Sequence, residues 1–319
     1  MTLLPYSLVS VCIASIGRAS LFSLVEDLYT FSSGGFDFHI CIPEHAYTEV
    51  SSNFAAISCV NLYSSTVSNQ VIQRQIAVKY STREIALIID DDISISKESI
   101  DILISSFLKL PNNSILAPVL CKPDGSSYFV DRCESGRSLF QQFKSFLVNI
   151  IIGLPYPNYK SYHMFGRLTK AGIPYPFLRV NDSTQRLFEV DYVPGCCFLI
   201  DSKGAKIDNY YPYTKGRCSL EDLFHCLYLS RVHHYSIYTH SCSFVSVEVP
   251  SSSIADILVL KNLTLSLFRQ LRFNSTYGYS MFRFLSFYII NLIYLSFRIT
   301  CNSLLANLPL HQPSSSDSF

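Results

Sequence analysis

Apolar residues follow two different periods over the first hundred positions of the chain. Short apolar runs of strand length are separated by segments in which apolar residues recur every three or four positions, as on one face of a helix. Strands that alternate with helices in this way form a parallel sheet, so this part is predicted to be an α/β unit. The predicted strands are 7–14, 36–42, 56–63 and 85–89; the predicted helices are 20–29 and 68–80, with a short connection or helix at 48–54.

Strand and helix patterns continue to about residue 250. Residues 97–110 are predicted to form an amphipathic helix whose inward face includes Leu108. In the helix 68–80, Ser68 is placed to cap the first turn. Residues 153–187 are rich in Pro, Tyr, Gly and Asn, which predicts a long loop that faces a substrate. Further predicted elements are strands at 115–120, 188–193 and 196–200 and helices at 138–154 and from 220.

The pattern changes after residue 250, which predicts a helical C-terminal region over 251–319 with a flexible, Ser-rich tail. Its helices are predicted at 254–273 and 281–308. The apolar stretch between Arg283 and Arg298 is shorter than the roughly 20 residues of a spanning helix. Flanking arginines and aromatic residues suit a peripheral helix at a membrane surface. Packing on the rest of the chain, or in a homodimer interface, fits the same pattern equally well.

Composition narrows the class of protein. The chain has 319 residues, of which 49% are hydrophobic and 15% charged, as expected for a folded protein. A net charge of +1 and the lack of a basic block exclude nucleic acid as a partner. The 11 cysteines are odd in number and lack zinc-ligand spacing, which indicates reduced thiols and a cytoplasmic location. The N-terminus lacks the basic region of a signal peptide.

Three aspartates, Asp90, Asp91 and Asp92, follow the buried strand 85–89 directly. Ligands of open α/β sheets bind at the carboxyl ends of the strands. Clustered carboxylates repel one another, so a cation or polar ligand is expected to neutralise them. A divalent metal that bridges a diphosphate would do so, whereas a solvated acidic turn is the simpler alternative.

Four stretches in a fixed order resemble family 2 glycosyltransferases of the GT-A fold, over roughly residues 7–235. The first contains a strand and the turn after it, the second a helix, a strand and the aspartates, the third a Gly-containing strand, and the fourth an acidic pair that begins a helix. They are Ser10-Val11-Cys12-Ile13-Ala14-Ser15-Ile16-Gly17-Arg18; Gln73-Arg74-Gln75 with Asp90-Asp91-Asp92; Val193-Pro194-Gly195-Cys196-Cys197-Phe198-Leu199-Ile200; and Leu220-Glu221-Asp222-Leu223-Phe224 with Arg231.

The resemblance implies a Rossmann-like, mainly parallel sheet flanked by helices, with a GT-A domain over 1–250. Its nucleotide-sugar half would be 1–120 and its acceptor half 121–250. It also implies the residues of the site. Nucleotide-sugar binding is expected from Ala14, Ser15, Arg18, Glu44, Arg74, Asp90 and Asp91, acceptor contacts from Gly195, Cys196 and Glu221, metal binding from Asp92 and Asp90, and general-base catalysis from Asp222.

The implied activity is inverting, metal-assisted transfer of a hexosyl or deoxyhexosyl group from a nucleoside-diphosphate sugar. The acceptor would be a glycan or lipid-linked glycan of a surface polysaccharide, such as O-antigen or capsule, at the inner face of the cell membrane. The metal would be Mg²⁺ or Mn²⁺, which prefer carboxylate and phosphate oxygens. A sugar-activating nucleotidyltransferase and a non-catalytic glycan-binding protein remain alternatives, although a nucleotidyltransferase would be expected to carry a Gly-rich phosphate loop.

Several positions depart from the family or keep a second interpretation. Gln73 stands where the family commonly has Asn. Glu44 stands in for the acidic residue with which the family often recognises the base of the nucleotide. His240 or Glu248 would complete the diphosphate site, and neither is assigned. A helix N-terminus would keep Asp222 ionised, unless it serves only as a cap beside Ser219. Aromatic and basic loop residues are candidates for binding sugar rings or a lipid diphosphate: Tyr156, Tyr159, Tyr162, Tyr211, Tyr213, Lys215 and Arg217.

Overall fold

A computed structural model describes residues 6–55, 57–124, 147–148, 150–153, 166–174, 186–213, 218, 220–247 and 267–306. The strands are β1 (Val9–Ala14), β2 (Asp37–Pro43), β3 (Val60–Ser65), β4 (Ile85–Asp90), β5 (Ile93–Ile95), β6 (Ser114–Cys121), β7 (Leu187–Glu189), β8 (Cys197–Asp201) and β9 (Ser236–Val247). The helices are α1 (Ala19–Ser32), α2 (Tyr47–Phe54), α3 (Gln70–Lys79), α4 (Lys97–Phe107), α5 (Ser202–Ala205), α6 (Glu221–Val232), α7 (267–277) and α8 (Met281–Ala306), with 3₁₀ turns at Tyr6–Leu8 and Glu44–Ala46.

The nine strands form one mixed sheet in the order β3-β2-β1-β4-β8-β6-β9-β5, and β7 pairs with β9. The first half is parallel throughout, as the alternating pattern predicts: β1 pairs with β2 and β4, and β2 pairs with β3. Strand β8 then lies antiparallel between β4 and β6. The change from parallel to antiparallel pairing thus occurs at β4, next to the aspartates.

The period of two within the strands divides the core between the two faces of the sheet. One face packs against α1, α2 and α4 and contains Val11, Ile13 and Leu87. The other packs against α3 and α6 and contains Cys12 and Ile88. Strand β1 is therefore buried on both sides, as expected for a strand covered by helices on each face.

Helix ends differ from the predictions in two places. The N-cap of α3 is Asn69, whose side chain accepts from the backbone N–H groups of Val71 and Ile72 at 3.0 and 3.2 Å, so the cap predicted at Ser68 is wrong by one residue. Helix α4 ends at Phe107. Leu108, predicted to face inward, is therefore 45% exposed.

Pairing in the second half of the sheet is less regular than the sequence indicates. The predicted strand 188–193 is only the three-residue β7, and the sequence pattern did not predict β5 or the full length of β9. A register shift between Pro118 and Val119 interrupts the β6–β9 pairing. Irregular strands of this kind lack the simple alternation by which strands are recognised. The predicted helices at 138–154 and 254–273 and the tail lie largely outside the described residues.

The C-terminal helices pack on the α/β unit. Phe273 of α7 is fully buried, with its ring 5.2 Å from that of Phe224 on α6. Asn274 donates to the carbonyl of Ala171 at 2.9 Å, and a Cβ at Gly172 would lie 2.2 Å from the Asn274 Oδ1 atom. Across the described ranges, the structure contains no helix long and apolar enough to cross a membrane.

Candidate active site

A cavity of about 380 Å³ opens where the parallel strands β1 and β4 end side by side. Ala14 and Asp90, the last residues of these strands, are direct partners in the β1–β4 register. The N-terminus of α3 forms the facing wall. The lining residues are Ala14, Ser15, Ile16, Arg18, Ser68, Asn69, Gln70, Gln73, Asp90, Asp91, Asp92 and Cys218.

The turn after β1 is tied to the middle aspartate. Ser15 donates a short hydrogen bond from its hydroxyl to the Asp91 carboxylate and accepts one from the Gly17 N–H at 2.9 Å. Gly17 has a φ of +86°, a region that favours glycine and allows the turn to close. Burial raises the pKa of Asp91 above its ordinary value, while the hydrogen bond from Ser15 opposes that shift. Asp91 thus shapes the turn that carries Arg18.

Arg18 supplies positive charge to the cavity wall. Its Nη1 atom lies 2.8 Å from a carboxylate oxygen of Asp92 and 3.5 Å from one of Asp91. The side chains of Arg18 and Asp92 are 48% and 54% exposed, so both can be reached by a ligand. A guanidinium is well suited to phosphate, because its N–H groups form a planar fork.

Asp90 faces the interior instead of the solvent. Its Oδ1 atom accepts hydrogen bonds from Gln70 at 2.8 Å and from Arg74 at 3.1 Å. Burial raises the pKa of Asp90 to about 6, although Arg74 acts in the opposite direction. Its backbone N–H donates to the carbonyl of Cys196 at 2.8 Å, which fixes the beginning of β8 beside the aspartates.

Arg74 connects the aspartates to the acidic pair at the start of α6. Its Nη1 atom lies 2.9 and 3.0 Å from the two carboxylate oxygens of Glu221, and its Nη2 atom donates to the Gly195 carbonyl at 3.0 Å. The guanidinium is only 3% exposed. Burial alone would lower the pKa of Arg74, but the carboxylates of Glu221 and Asp90 raise it above its ordinary value. The Arg74 guanidinium therefore stays protonated between the carboxylates of Glu221 and Asp90.

Gly195 permits this arrangement. A Cβ at that position would lie 2.6 Å from the Oε1 atom of Glu221, closer than real Cβ contacts allow. The glycine of the third stretch is therefore explained by the carboxylate that approaches it.

Asp222 is a partly buried carboxyl at the first turn of α6. Its Oδ1 atom accepts from the Leu223 N–H at 2.9 Å. Burial, followed by the charge of Glu221, raises the pKa of Asp222 to about 7. The expectation that the helix N-terminus keeps this group ionised is wrong in direction, because desolvation exceeds that effect. The N-cap is Leu220, with a φ of 65° and no side-chain cap; Ser219 lies outside the described residues.

The aspartate carboxylates at the cavity suit a divalent ion that is also bound by the phosphate oxygens of a ligand. Among the described residues, no group of three or more His, Cys, Asp or Glu side chains is arranged to hold a metal. Mg²⁺ and similar ions often bind through one or two carboxylates plus substrate phosphates, so such a group is not required. Asp92 is 54% exposed and paired with Arg18, whereas Asp90 is 17% exposed and paired with Arg74. Of the two carboxylates, Asp92 is therefore the one that an ion brought by a ligand can reach, in place of its surface contact with Arg18.

The structure brings most of the predicted site residues together, in two groups. Ala14, Ser15, Arg18 and the three aspartates line the cavity. Arg74, Gly195, Cys196 and Glu221 lie behind Asp90, joined through the hydrogen bonds of Arg74 and Asp90. Asp222 follows Glu221 and is not one of the lining residues. Glu44 lies on an exposed 3₁₀ turn after β2 and does not line the cavity.

Other predicted residues are placed apart or not described. His240 lies in β9, where its Nδ1 atom accepts from the Cys242 N–H at 3.2 Å and burial lowers its pKa. Tyr211 and Tyr213 pack near α7, with Arg269 centred 4.9 Å from the Tyr213 ring. Tyr156, Tyr159, Tyr162, Lys215, Arg217 and Glu248 lie outside the described residues.

Sequence reasoning assigned Arg74 of α3 to the site but missed the contribution of the first turn of this helix to the cavity. Asn69 and Gln70 line it, and Gln73 donates to the Ser15 carbonyl at 2.9 Å, which joins α3 to the end of β1. The signal was available, because a helix that follows a parallel strand begins at the same sheet edge as the ligand site. Cys218 was not foreseen either. Its contact with Asn69 joins segments 149 positions apart.

The strand order, the flanking helices and the strand-end cavity define an α/β protein of the GT-A glycosyltransferase fold. The structure is similar to the crystal structure of GalNAc-T7 with UDP, GalNAc and Mn²⁺, with a TM-score of 0.50 and 10% sequence identity. The match covers 76% of this chain but only 44% of that one, so this chain spans less than half the length of its neighbour. Neither a protein-family model nor a curated protein matches the chain.

Proposed function

We propose that this chain is a glycosyltransferase that moves a sugar from a nucleoside-diphosphate donor to a hydroxyl of a glycan acceptor. The observation that carries the proposal is the strand-end cavity lined by Asp90, Asp91 and Asp92. The buried Arg74 joins Asp90 to Glu221 at the start of α6, where Asp222 is the next residue. The likeness in fold to a transferase solved with UDP, GalNAc and Mn²⁺ supports the same class of donor.

The cavity suits the diphosphate of such a donor. Its volume of about 380 Å³ falls in the range of small-molecule sites. Arg18 provides a cation, and the N-terminus of α3, capped by Asn69, faces the same space. Helix N-termini and guanidinium groups both favour phosphate. An Mg²⁺ or Mn²⁺ ion bound with Asp92 would supply further positive charge against the departing diphosphate.

Asp222 is our proposed general base. A base works best when its pKa is near the pH of operation, and burial brings the pKa of Asp222 to about 7. Its carboxylate would accept the proton of the acceptor hydroxyl as oxygen attacks the anomeric carbon and the sugar–phosphate bond breaks. Glu221 is committed to Arg74, which leaves the neighbouring Asp222 for this role. One base and one displacement give inversion at the anomeric carbon.

The finer assignment rests on the four stretches of sequence. Their order suggests family 2 enzymes, transfer of a hexosyl or deoxyhexosyl group, and a surface polysaccharide such as O-antigen or capsule assembled at the inner face of the membrane. The turn Ser15-Ile16-Gly17-Arg18 contains a single glycine. That turn differs from the Gly-rich phosphate loop expected of a nucleotidyltransferase.

A panel of nucleotide sugars tests the proposal. Thermal unfolding is measured with each compound in the presence and absence of Mn²⁺, because a ligand that binds the native state raises the unfolding temperature. Any compound that stabilises the protein is then assayed for release of nucleoside diphosphate and for sugar transfer. We expect at least one Mn²⁺-dependent donor that is turned over. Pyrophosphate formation from a sugar phosphate and a nucleoside triphosphate would instead indicate nucleotidyl transfer, and stabilisation without turnover of any compound would indicate a binding protein.

A further inference from the structure

Arg18 holds the most exposed of the three aspartates that line the cavity. Its Nη1 atom lies 2.8 Å from the Oδ2 atom of Asp92. Across the described residues, the hydrogen bond and the ion pair of Asp92 are formed with Arg18 alone. The other two aspartates are engaged by Ser15 and by Arg74. The carboxylate that we assign to a divalent ion is thus already neutralised by another side chain of the same protein.

This ion pair can open at little cost. Both side chains are about half exposed, and exposed ion pairs contribute little to stability because water and salt screen them. The backbone of Arg18 is fixed at the start of α1, where its carbonyl accepts from the Leu21 N–H at 3.1 Å. Only the long side chain has to turn for the guanidinium to reach another part of the cavity that it lines.

The cavity contains what would draw Arg18 toward a diphosphate. The N-terminus of α3, capped by Asn69, faces the same space, and helix N-termini favour phosphate. Phosphate oxygens bind a guanidinium through two parallel hydrogen bonds, whereas the contacts of Arg18 with the described aspartates use its Nη1 atom alone. A diphosphate is therefore a better partner for Arg18 than Asp92 is.

Arg18 and a divalent ion compete for the Asp92 carboxylate. Both are cations, and two cations at one oxygen atom repel each other strongly at such short range. An ion that arrives alone has to break the ion pair and leave the guanidinium without a counter-charge. An ion that arrives with a diphosphate does not, because the phosphate oxygens accept the guanidinium N–H groups.

We infer that Arg18 closes Asp92 to a divalent ion until a diphosphate draws the guanidinium away, so that ion and nucleotide bind cooperatively. The inference rests on the proposed function, since it takes a nucleoside diphosphate as the ligand of this cavity. The phosphates withdraw Arg18 from Asp92, and the ion neutralises the carboxylate that is left behind. Such coupling is reciprocal, because the total free energy of binding does not depend on the order of the two ligands.

A fixed counter-ion is the other role open to Arg18. In that case the guanidinium stays beside Asp92 with and without nucleotide, and its charge weakens binding of the ion equally in both states. The two roles therefore differ in one measurable quantity, which is the gain in ion affinity that the nucleotide produces.

Titration of the full chain with Mn²⁺ distinguishes these roles. Free Mn²⁺ is measured by electron paramagnetic resonance, without nucleotide and with saturating UDP, GDP, ADP or CDP. Titrations without protein correct for Mn²⁺ bound by the nucleotides themselves. Without nucleotide, Arg18→Gln should bind Mn²⁺ roughly three- to tenfold more tightly than the wild type, the size expected for loss of a screened ion pair and a nearby like charge. With the nucleotide that binds, the variant should bind Mn²⁺ no more tightly than the wild type.

Two further variants serve as controls. Arg18→Lys keeps the charge, so without nucleotide it should bind Mn²⁺ as weakly as the wild type. Arg83→Gln removes an exposed arginine just before β4, at the opposite end of that strand from Asp90, and should leave both Mn²⁺ affinities unchanged. The unfolding temperature of Arg18→Gln without ligands should match that of the wild type, because the lost ion pair is exposed.

Equal Mn²⁺ affinities of the wild type and Arg18→Gln without nucleotide overturn the inference, and this titration needs no donor. A gain in Arg18→Gln that is the same with and without nucleotide also overturns it, because Arg18 is then a fixed counter-ion. In both cases a nucleoside diphosphate that binds leaves the proposed function standing. If no nucleoside diphosphate binds the wild type, the proposed function and the cooperative binding fail together.

Discussion

Arg74 contacts both carboxylate oxygens of Glu221, at 2.9 and 3.0 Å, although the two residues are 147 positions apart in the chain. The same guanidinium also binds Asp90 at 3.1 Å. A buried ion pair contributes little net stability when complete, but the loss of one partner leaves the other buried and uncompensated. This pair is therefore the point at which the two halves of the candidate site depend on each other.

Replacement of Arg74 by Met should destabilise the fold by about 3–5 kcal/mol, because Asp90 and Glu221 would remain buried without a cation. Urea unfolding measures the change. The cost should be larger near pH 8 than near pH 5, since burial already raises the pKa of Asp90 to about 6 and loss of Arg74 raises it further. Arg83→Met removes an exposed arginine close to the same helix and should cost little. An unfolding free energy equal to that of Arg83→Met would contradict this account.

Gly195→Ala should destabilise the protein by about 1–3 kcal/mol, because its new Cβ would lie 2.6 Å from the Glu221 Oε1 atom. A double-mutant cycle isolates the cause. In a Glu221→Ala background, the nearest remaining side-chain atom is Arg74 Nη1 at 3.5 Å, an ordinary contact. The alanine at 195 should then cost almost nothing. Equal costs in both backgrounds would show that the glycine is needed for another reason.

Asp222→Asn should reduce transfer by a factor of roughly 10²–10⁴ while donor affinity stays within about twofold, because asparagine cannot accept the proton. In the wild type, kcat/KM should rise with pH through about 7, the pKa of Asp222, since only the ionised carboxylate is a base. Initial rates across a pH series check both statements. Near wild-type turnover in the variant, or a kcat/KM that does not change with pH in the wild type, would show that Asp222 is not the general base.

The same substitution should stabilise the fold at neutral and higher pH. A carboxyl whose pKa is raised on folding costs stability once the pH exceeds its unfolded value, and the cost is complete above the folded value of about 7. Since solvent partly screens the side chain, this cost should be on the order of 2 kcal/mol. Asp222→Asn should therefore be more stable than wild type near pH 8 and equal to it near pH 4. Thermal unfolding at both pH values gives the comparison, and destabilisation near pH 8 would refute it.

Asp92→Asn should weaken Mn²⁺-dependent donor binding at least tenfold, because Asp92 is the exposed carboxylate of the cavity. Its effect on the unfolding temperature without ligand should be small, since the side chain is 54% exposed and its ion pair with Arg18 lies at the surface. Calorimetric titration with the donor found in the nucleotide-sugar panel measures the affinity. Asp27→Asn, an exposed change on α1, is the control. An unchanged donor affinity in Asp92→Asn would show that the metal does not bind at Asp92.

The pattern of apolar and polar residues along the sequence was sufficient to predict much of the fold. Strands β1 and β4 are apolar apart from Ser10 and the terminal Asp90, α1 and α4 show helical periodicity, and the boundaries agree to within a few residues. The position of the aspartates at a strand end also followed, because a strand with apolar neighbours on both faces places the next residues at the edge of the sheet. These features depend on contacts near in sequence or on a repeat that the sequence itself displays.

Only the tertiary structure decided what each acidic residue does. Asp90 is turned to Arg74, Asp91 to Ser15 and Asp92 to the exposed side of the cavity, although the three are identical in type and adjacent in the chain. The partner of Arg74 and the raised pKa of Asp222 likewise depend on segments brought together from distant positions. Burial and charge pairing are properties of the assembled neighbourhood, so a sequence that determines where carboxylates occur does not determine which of them is paired and which is left for chemistry.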